Sequence, residues 1–356
     1  MQSSFELVIC IASTALFDCT KSHQIWKSDG LEAFKQYQRE NVNKPLKPGV
    51  GFPLVQSLLQ LNKVLEKPII DIVLVSRNDA ESGQRIINSI HYYKLSIDRM
   101  SFTCGEEVTK YLSSWKCDLF LTTEEEQVRR ALAGGSSHLC QGIAAGLVYH
   151  IIPESVPVQP VTIPSDNSIM ASSVTSISSN MSTWPKDQVR IVFDGDGVLF
   201  FEEPQPTESD RRTDPVSLAK GPMQAFALKL QNVRRALGDN NRWRIRTFLV
   251  TASTDASAKR VINTLKEWGL ELDETHILNG LDKTPFLRVI DPAIFFDHSN
   301  EHFQPSIQFI PAVHVPRSRQ SSRASIDEVV LTRSRHGTKS STFTDDDLDE
   351  KQEDSC

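Results

Sequence analysis

Short apolar runs alternate with amphipathic segments in two blocks of the chain, residues 5–153 and 188–315. The run at residues 7–12 predicts a first buried strand, and the alternating run at residues 189–192 predicts another. Strands that alternate with helices form a parallel sheet that is covered on both faces. The pattern therefore predicts an α/β fold with two tandem lobes, each built on a parallel sheet.

Two stretches outside these blocks differ in composition. Residues 154–187 are rich in Ser, Pro, Thr and Val and carry little charge, which is typical of a linker or a long surface loop. Residues 316–356 begin with a basic, Ser-rich patch and end with an acidic one, and such a tail buries too little apolar area to offset its ordering entropy. We expect a first lobe at 1–153, a linker at 154–187, a second lobe at 188–315 and a disordered tail at 316–356.

The two blocks resemble each other when 175 is added to each number from residue 70 to residue 123. The segment 73–76 then matches 248–251, and no gap is needed. Further upstream, at a slightly different offset, Asp18 matches Asp194. Duplication of one lobe would produce this similarity. Two lobes of the same fold, with the same spacing of strands and helices, would also produce it.

Composition narrows the functional classes. The chain has 356 residues, of which 39% are apolar and 24% charged, as in a globular protein of about two domains. Its net charge of −6 and the lack of a basic, aromatic stripe argue against nucleic acid as a partner. The six cysteines lack the spacing of a zinc site and are typical of reduced cytosolic thiols.

The first apolar run is too short to span a membrane, and no basic residues precede it as they would in a signal peptide. We therefore expect a cytoplasmic protein with neither a membrane nor nucleic acid as a partner. The sequence leaves open whether the chain forms a homo-oligomer.

Two carboxylates follow the second of these predicted strands. Asp194 and Asp196 are two residues apart, so in an extended backbone they share a face and address one centre. Such a pair can hold a hard cation such as Mg2+, or it can divide the roles of nucleophile and general acid/base. A solvated Asp-Gly-Asp-Gly turn is the alternative.

Three more polar residues follow in the second block. Thr251 can donate a hydrogen bond to a phosphoryl oxygen or simply cap a helix. Lys283 can neutralise a transferring phosphoryl group or lie solvated on the surface. Asp297 can complete a cation site or be a turn residue. Most of these residues end predicted strands, and ligands bind at that edge of open α/β sheets.

In this order and spacing, the five residues resemble the motifs of the haloacid-dehalogenase superfamily of phosphotransferases. Segments in both blocks narrow the resemblance to the cytosolic type I 5′-nucleotidase family. Among them are 51–55, 74–78, 87–90, 193–199, 246–252 and 280–283. The resemblance implies two Rossmann-like lobes of haloacid-dehalogenase type, of which the second is catalytic and carries a small cap insert. It also implies Mg2+-dependent hydrolysis of nucleoside 5′-monophosphates, AMP prominently, in the cytosol.

The resemblance assigns a role to each of these residues. Asp194 would attack the 5′-phosphate to form an aspartyl-phosphate, while Asp196 would protonate the ribose oxygen and later activate water. Mg2+ would be held by Asp194, the backbone carbonyl of Asp196 and Asp297. Together with Lys283 and Thr251, it would stabilise the charge on the phosphoryl oxygens.

Two positions depart from the family pattern. His298 stands where a second carboxylate usually follows Asp297, and we expect this change to weaken metal binding more than it alters the chemistry. Cys104 stands where the family typically has glycine. If that position requires a positive φ, the loop is strained or reshaped here.

The first block lacks the catalytic residues. By the same offset, Lys283 corresponds to Val108 and Asp297 to Thr122, so that Asp18 alone persists. We expect a degenerate lobe that shapes or regulates the nucleotide pocket.

Ser76, Arg77 and Asn78 would mirror the active Thr251 loop. They are candidates for binding the base or the ribose, and ordinary turn residues would look the same. The insert at 202–220 is the predicted cap, and its Lys220 supplies a cation for the substrate or belongs to a solvated loop. The alternative functions are a phosphatase for another small phosphate ester and a catalytically weakened, nucleotide-binding regulatory protein.

Overall fold

A computed structural model describes residues 5–134, 142–149, 184–185, 187–201, 217–253, 255–299 and 305–317. The predicted tail beyond residue 317, nearly all of the predicted linker and most of the predicted cap insert lie outside these residues. Among the helices that are described, none is both long and apolar enough to cross a membrane.

The first half of the chain alternates strands with helices. Its strands are β1 (Leu7–Ala12), β2 (Phe17–Asp18), β3 (Lys47–Pro48), β4 (Ile70–Ser76), β5 (Arg99–Phe102), β6 (Leu119–Thr122) and β7 (Ala144–Val148). Its helices are α1 (Ser13–Leu16), α2 (Thr20–Glu40), α3 (Phe52–Asn62), α4 (Gln84–Tyr92) and α5 (Glu125–Ala133), with a 3₁₀ turn at Thr109–Tyr111. Helix α2 bends at Gly30, whose φ of 85° is easily reached only by glycine.

The second half repeats this alternation. Its strands are β8 (Val189–Phe193), β9 (Phe200–Phe201), β10 (Ala219–Lys220), β11 (Ile245–Thr251), β12 (Glu274–Ile277), β13 (Ile294–Asp297) and β14 (Ala312–His314). Its helices are α6 (Gln224–Ala236), α7 (Asp255–Glu267) and α8 (Thr284–Ile290), with a 3₁₀ turn at Arg242–Arg244.

Within the described residues, ten of the strands form one sheet in the order β12-β11-β8-β13-β14-β7-β6-β1-β4-β5. The strands are parallel within each half, and β14 pairs with β7 in the antiparallel direction. The predicted α/β class is therefore confirmed, but the two predicted sheets are joined into a single one. The antiparallel junction also places the carboxyl ends of the two halves at opposite edges of this sheet.

The two halves share one strand order. Reading inward from each end gives β5-β4-β1-β6-β7 and β12-β11-β8-β13-β14. Strands β4, β5 and β6 begin and end 175 residues before β11, β12 and β13, respectively. Each half also carries a short antiparallel hairpin beside its first strand, β2-β3 in one and β9-β10 in the other. This is the arrangement that a duplicated lobe predicts.

The strand register corrects one predicted match. Ile11 in β1 and Phe193 in β8 are equivalent, because each pairs with corresponding residues on its two neighbouring strands. Ala12 therefore corresponds to Asp194. Asp18 lies beyond this point, in the hairpin strand β2, so its predicted match with Asp194 was wrong. The error arose because a shared Phe-Asp dipeptide was aligned in place of the strand ends.

The core covers both faces of the sheet. On one face, buried side chains from both halves form a single cluster, to which β1 contributes Leu7, Ile9 and Ile11. On the other face, Val8 and Cys10 belong to a cluster of the first half, and the second half has its own. The alternation along β1 is that of a strand buried on both sides.

Candidate active site

Three neighbouring strands place polar residues at one edge of the sheet. Strand β8 lies between β11 and β13, and all three run parallel. Asp194 follows β8, Thr251 ends β11 and Asp297 ends β13. The carboxyl ends of parallel strands meet at the same edge, so the structure brings these three together as expected.

Asp194 is anchored from several sides and is only 3% exposed. Its backbone N–H donates to the carbonyl of Phe296 at 2.8 Å. The Lys283 Nζ and the Gly195 N–H lie 2.7 Å from Oδ1, and the Nδ1 of His298 lies 3.0 Å from Oδ2. Both carboxylate oxygens are thus held in fixed directions, and the solvated-turn alternative does not apply.

Lys283 joins two carboxylates. Its Nζ lies 2.7 Å from Asp194 Oδ1 and 2.8 Å from Asp297 Oδ2, and the residue is 1% exposed. It immediately precedes α8, whose first turn contains Pro285, a residue that suits a helix start. The solvated surface lysine that the sequence left open is therefore excluded.

The electrostatics of the two carboxylates differ. Burial raises the pKa of Asp194, but the hydrogen bond from His298 and the charge of Lys283 outweigh this effect and lower it below the usual range. Burial and the nearby charge of Asp194 raise the pKa of Asp297 to about 6, although Lys283 and the Ser299 N–H oppose the shift. One lysine therefore does not fully compensate the negative charge buried here.

The glycines of the loop after β8 permit close packing. A Cβ on Gly195 would lie 2.7 Å from the Thr251 hydroxyl oxygen. Gly197 has a φ of 71°, and a Cβ there would lie 2.6 Å from the His298 ring. These contacts explain why glycines flank Asp196 and show that the loop packs directly against the ends of β11 and β13.

Asp196 faces a guanidinium that the sequence did not predict. The Arg317 Nη2 lies 2.5 Å from Asp196 Oδ2 and 3.0 Å from the Nε2 of His298. Arginine only donates, so Nε2 accepts, and the hydrogen bond to Asp194 requires a proton on Nδ1. Arg317 escaped notice because it is the first residue of the basic patch in the predicted tail.

Thr251 is 1% exposed, and its hydroxyl oxygen lies 2.9 Å from that of Ser253. Ser253 also donates its backbone N–H to the Thr251 hydroxyl at 3.3 Å. Ser253 was not predicted, and its only sequence signal is its position two residues beyond the strand end. The Thr251 hydroxyl lies beside Gly195, next to the candidate nucleophile.

The residues present fit a divalent cation. Ligand atoms of Asp194, Asp297 and His298 all lie within 4.8 Å of one another. Two buried carboxylates offer the oxygen donors that Mg2+ prefers, and the raised pKa of Asp297 indicates uncompensated negative charge. His298 offers nitrogen, which Mg2+ favours less.

The three substrate-binding candidates of the first half lie elsewhere. Ser76 ends β4, and Arg77 and Asn78 follow it. Because β7 and β14 are antiparallel, this strand end lies at the edge of the sheet opposite Asp194. The prediction that these residues mirror the Thr251 loop agrees with the topology. The structure does not bring them to the candidate active site within one chain, so their predicted contribution to that pocket is corrected.

The remaining predicted positions are also located. Lys220 is exposed in β10, where it pairs with Phe200 at the base of the insert. Cys104 has a φ of 50°, so this position does have the positive φ that favours glycine. The side chain of Cys104 is exposed.

Comparisons with known proteins identify the family of this chain. The sequence model of the family described as 5′-nucleotidase matches residues 1–159 and 155–322. Over 318 residues the chain is 31% identical to the human protein named Cytosolic 5′-nucleotidase 1B, a match that covers 84% of this chain. The chain spans 47% of the length of that relative. The family match runs through both halves of the sheet and every residue of the site described above, so this chain belongs to the 5′-nucleotidase family.

Proposed function

We propose that this protein hydrolyses nucleoside 5′-monophosphates to a nucleoside and phosphate. The observation that carries the proposal is the buried carboxylate of Asp194, which lies between Lys283 and His298 at the carboxyl edge of the sheet. The name of the human relative describes a cytosolic 5′-nucleotidase, and on that basis we also propose a cytosolic location.

Asp194 is the nucleophile of the proposed reaction. Its lowered pKa keeps the carboxylate ionised at neutral pH, and its two fixed oxygens leave little motion to lose on attack. An Asp194 oxygen forms a bond to phosphorus while the bond from phosphorus to the 5′-oxygen breaks. The departing oxygen takes a proton, and the product is a nucleoside with an aspartyl-phosphate.

Asp196 moves the protons. It donates one to the departing 5′-oxygen and then accepts one from the water that hydrolyses the aspartyl-phosphate. In the structure the Asp196 carboxylate accepts a hydrogen bond from Arg317, and in the second half of the reaction it must accept a proton from water instead. Donation in the first half requires that Arg317 turn away, and the phosphate group is the natural partner for its guanidinium.

Two buried donors stabilise the charge on the phosphoryl group. The Lys283 ammonium lies against Asp194, and the Thr251 hydroxyl packs beside Gly195. Charge stabilisation by such fixed groups is the main source of catalysis in phosphoryl transfer. Asp194, Asp297 and the backbone carbonyl of Asp196 would hold Mg2+. When bound, the ion supplies further neutralisation of the phosphoryl oxygens.

The test is phosphate release from AMP, other nucleoside monophosphates and sugar phosphates, with Mg2+ and with EDTA. We expect release from the nucleotides with Mg2+, and a loss of at least about 10³-fold in Asp194→Asn. The matched control is Asp18→Asn, which makes the same chemical change at an exposed position of the first half, and it should retain activity.

Three results would contradict the proposal. They are turnover of non-nucleotide esters only, binding without turnover, and equal losses in Asp194→Asn and Asp18→Asn.

A further inference from the structure

The first half contains a large cavity at its own carboxyl edge. The cavity has a volume of about 780 Å³ and is lined by residues that follow β1, β4 and β6 and by helix α2. This volume lies within the range of small-molecule sites, roughly 300–1,000 Å³. Because the sheet halves are antiparallel, the cavity lies at the edge opposite Asp194.

The cavity occupies the position that the candidate active site has in the second half, but its chemistry differs. Ala12 stands at the position of Asp194, and Val108, which is buried and lines the cavity, stands at the position of Lys283. Thr122 replaces Asp297. The buried carboxylates and the buried lysine are therefore absent from these three positions, and neither a nucleophile nor a set of metal ligands remains there.

Hydroxyl groups form one part of the polar lining of the cavity. The hydroxyl oxygens of Ser13 and Ser76 lie 3.0 Å apart, and both residues are buried. The hydroxyl oxygens of Thr14 and Thr123 lie 2.7 Å apart. Neutral hydroxyls can turn their protons towards an incoming anion, whereas carboxylates at the same place would repel it.

The charged groups at the cavity are cationic in sum. Arg77 pairs with Glu124 at 2.9 Å, and Lys35 lies 3.7 Å from Asp79 and 4.0 Å from Glu32, which does not line the cavity. Lys27 also lines the cavity, and among the described residues no carboxylate lies within ion-pair distance of it. The charged residues that line the cavity, three cations and two carboxylates, thus leave one positive charge in excess at its wall, which favours an anionic ligand.

An exposed apolar wall completes the cavity. Helix α2 bends at Gly30, and Trp26 before the bend and Leu31 after it both face the cavity. The exposed fractions of Trp26 and Leu31 are 48% and 52%, which is unusual for side chains of this size. An indole beside a cationic, hydroxyl-lined pocket suits a planar ring that carries phosphate.

We propose that this cavity is a second ligand site, which binds a nucleotide without a metal ion at the sheet edge opposite the active site. The proposal stands on the cavity itself and does not depend on the hydrolytic function. A ligand bound here does not contact a substrate at Asp194 in the same chain.

Binding is tested on the full chain that carries Asp194→Asn, in EDTA, so that turnover and metal-dependent binding are both suppressed. Calorimetry measures the affinity of the protein for AMP, ADP and ATP. Adenosine and inorganic phosphate are measured separately, because they represent the two halves of the ligand. We expect at least one nucleotide to bind more tightly than either half. The proposal is overturned if no nucleotide binds, or if adenosine binds as tightly as the nucleotides.

Two pairs of variants, made in this background, place the binding in the cavity. Trp26→Ala should weaken binding about tenfold through lost stacking, and Trp243→Ala is its control, at an exposed tryptophan of the second half. Arg77→Ala should weaken it about tenfold through a lost charge-assisted contact. Its control is Arg39→Ala, an exposed arginine paired with Glu81. Equal effects within either pair would contradict the proposal.

A footprint at Cys104 gives a second, independent measurement. This thiol is exposed and lines the cavity, so a bound nucleotide should slow its alkylation, as followed by mass spectrometry of the peptide. The protection should persist in Asp194→Asn and disappear in Trp26→Ala. Unchanged alkylation at a saturating nucleotide concentration would overturn the proposal, because the ligand would then lie elsewhere.

Discussion

Replacing Lys283 with methionine tests whether this lysine holds the two buried carboxylates together. Its Nζ lies 2.7 Å from Asp194 Oδ1 and 2.8 Å from Asp297 Oδ2, and both aspartates are at most 3% exposed. Methionine is an unbranched side chain only one atom shorter than lysine, and it removes the charge. Removing one partner of a buried ion pair costs about 3–5 kcal/mol, because the remaining charge is left without compensation.

The assay is urea unfolding at pH 7.5 in EDTA, which prevents a bound cation from replacing the lysine. We expect Lys283→Met to lower the free energy of unfolding by about 3–5 kcal/mol, and the added change Asp297→Asn to restore part of it by removing one of the two carboxylates. The control is Lys229→Met. Lys229 lies 3.5 Å from Asp118 and its side chain is 42% exposed, so we expect a loss of about 0–1 kcal/mol.

Equal losses in the two variants would refute the electrostatic account of Lys283. A lack of recovery in the double variant would do so as well, because the cost would then come from packing and not from charge. Where Lys283→Met still folds, phosphate release from AMP should fall by about 10²–10³-fold, as for other donors that stabilise transition-state charge.

Four further outcomes are expected. Gly195→Ala should lower the free energy of unfolding by about 1–3 kcal/mol, measured in urea, because its Cβ would lie 2.7 Å from the hydroxyl at the end of β11. Arg317→Ala should raise KM for AMP several-fold and change kcat less, because it removes an exposed guanidinium from the rim of the pocket; a loss confined to kcat would contradict this. At pH 8, iodoacetamide should label Cys104 well before Cys19, since burial raises the pKa of the Cys19 thiol to about 12, and mass spectrometry of the two peptides measures the ratio. Residues 188–317 expressed alone should lack the cooperative unfolding transition, followed by circular dichroism, that the longer chain shows.

The positions of the candidate catalytic side chains could be predicted because they depend on local sequence. Asp194, Thr251 and Asp297 follow or end apolar runs, and parallel strands in one half necessarily end at one edge. The constant spacing of 175 residues likewise predicted the correspondence of β4 with β11. It did so because the segment from β4 to β6 and the segment from β11 to β13 have the same length, with no insertion in either. The burial of Lys283 did not follow from its own neighbours, and the motif order alone suggested its role.

The relation between the halves could not be predicted, because no local pattern specifies which edge strands pair. The antiparallel contact of β7 with β14 decides that Ser76 and Asp194 lie at opposite edges. Asp18 was misassigned for a related reason. Similar dipeptides can align, but only the pairing of β1 with its neighbours shows that Ala12 is the true counterpart. Arg317 was missed because composition assigned it to the tail.

The packing across the middle of the sheet argues that the two halves are one folding unit. Helix α3 of the first half contacts β8, and α6 of the second half contacts β1, so each half covers part of the other half's sheet. Separating the two halves would expose the shared core cluster together with the paired edges of β7 and β14. An unpaired apolar strand edge favours aggregation. The first half can therefore lack the buried carboxylates and the buried lysine of the second half and still be required, because strand β8, which Asp194 follows, is buried partly against helix α3 of the first half.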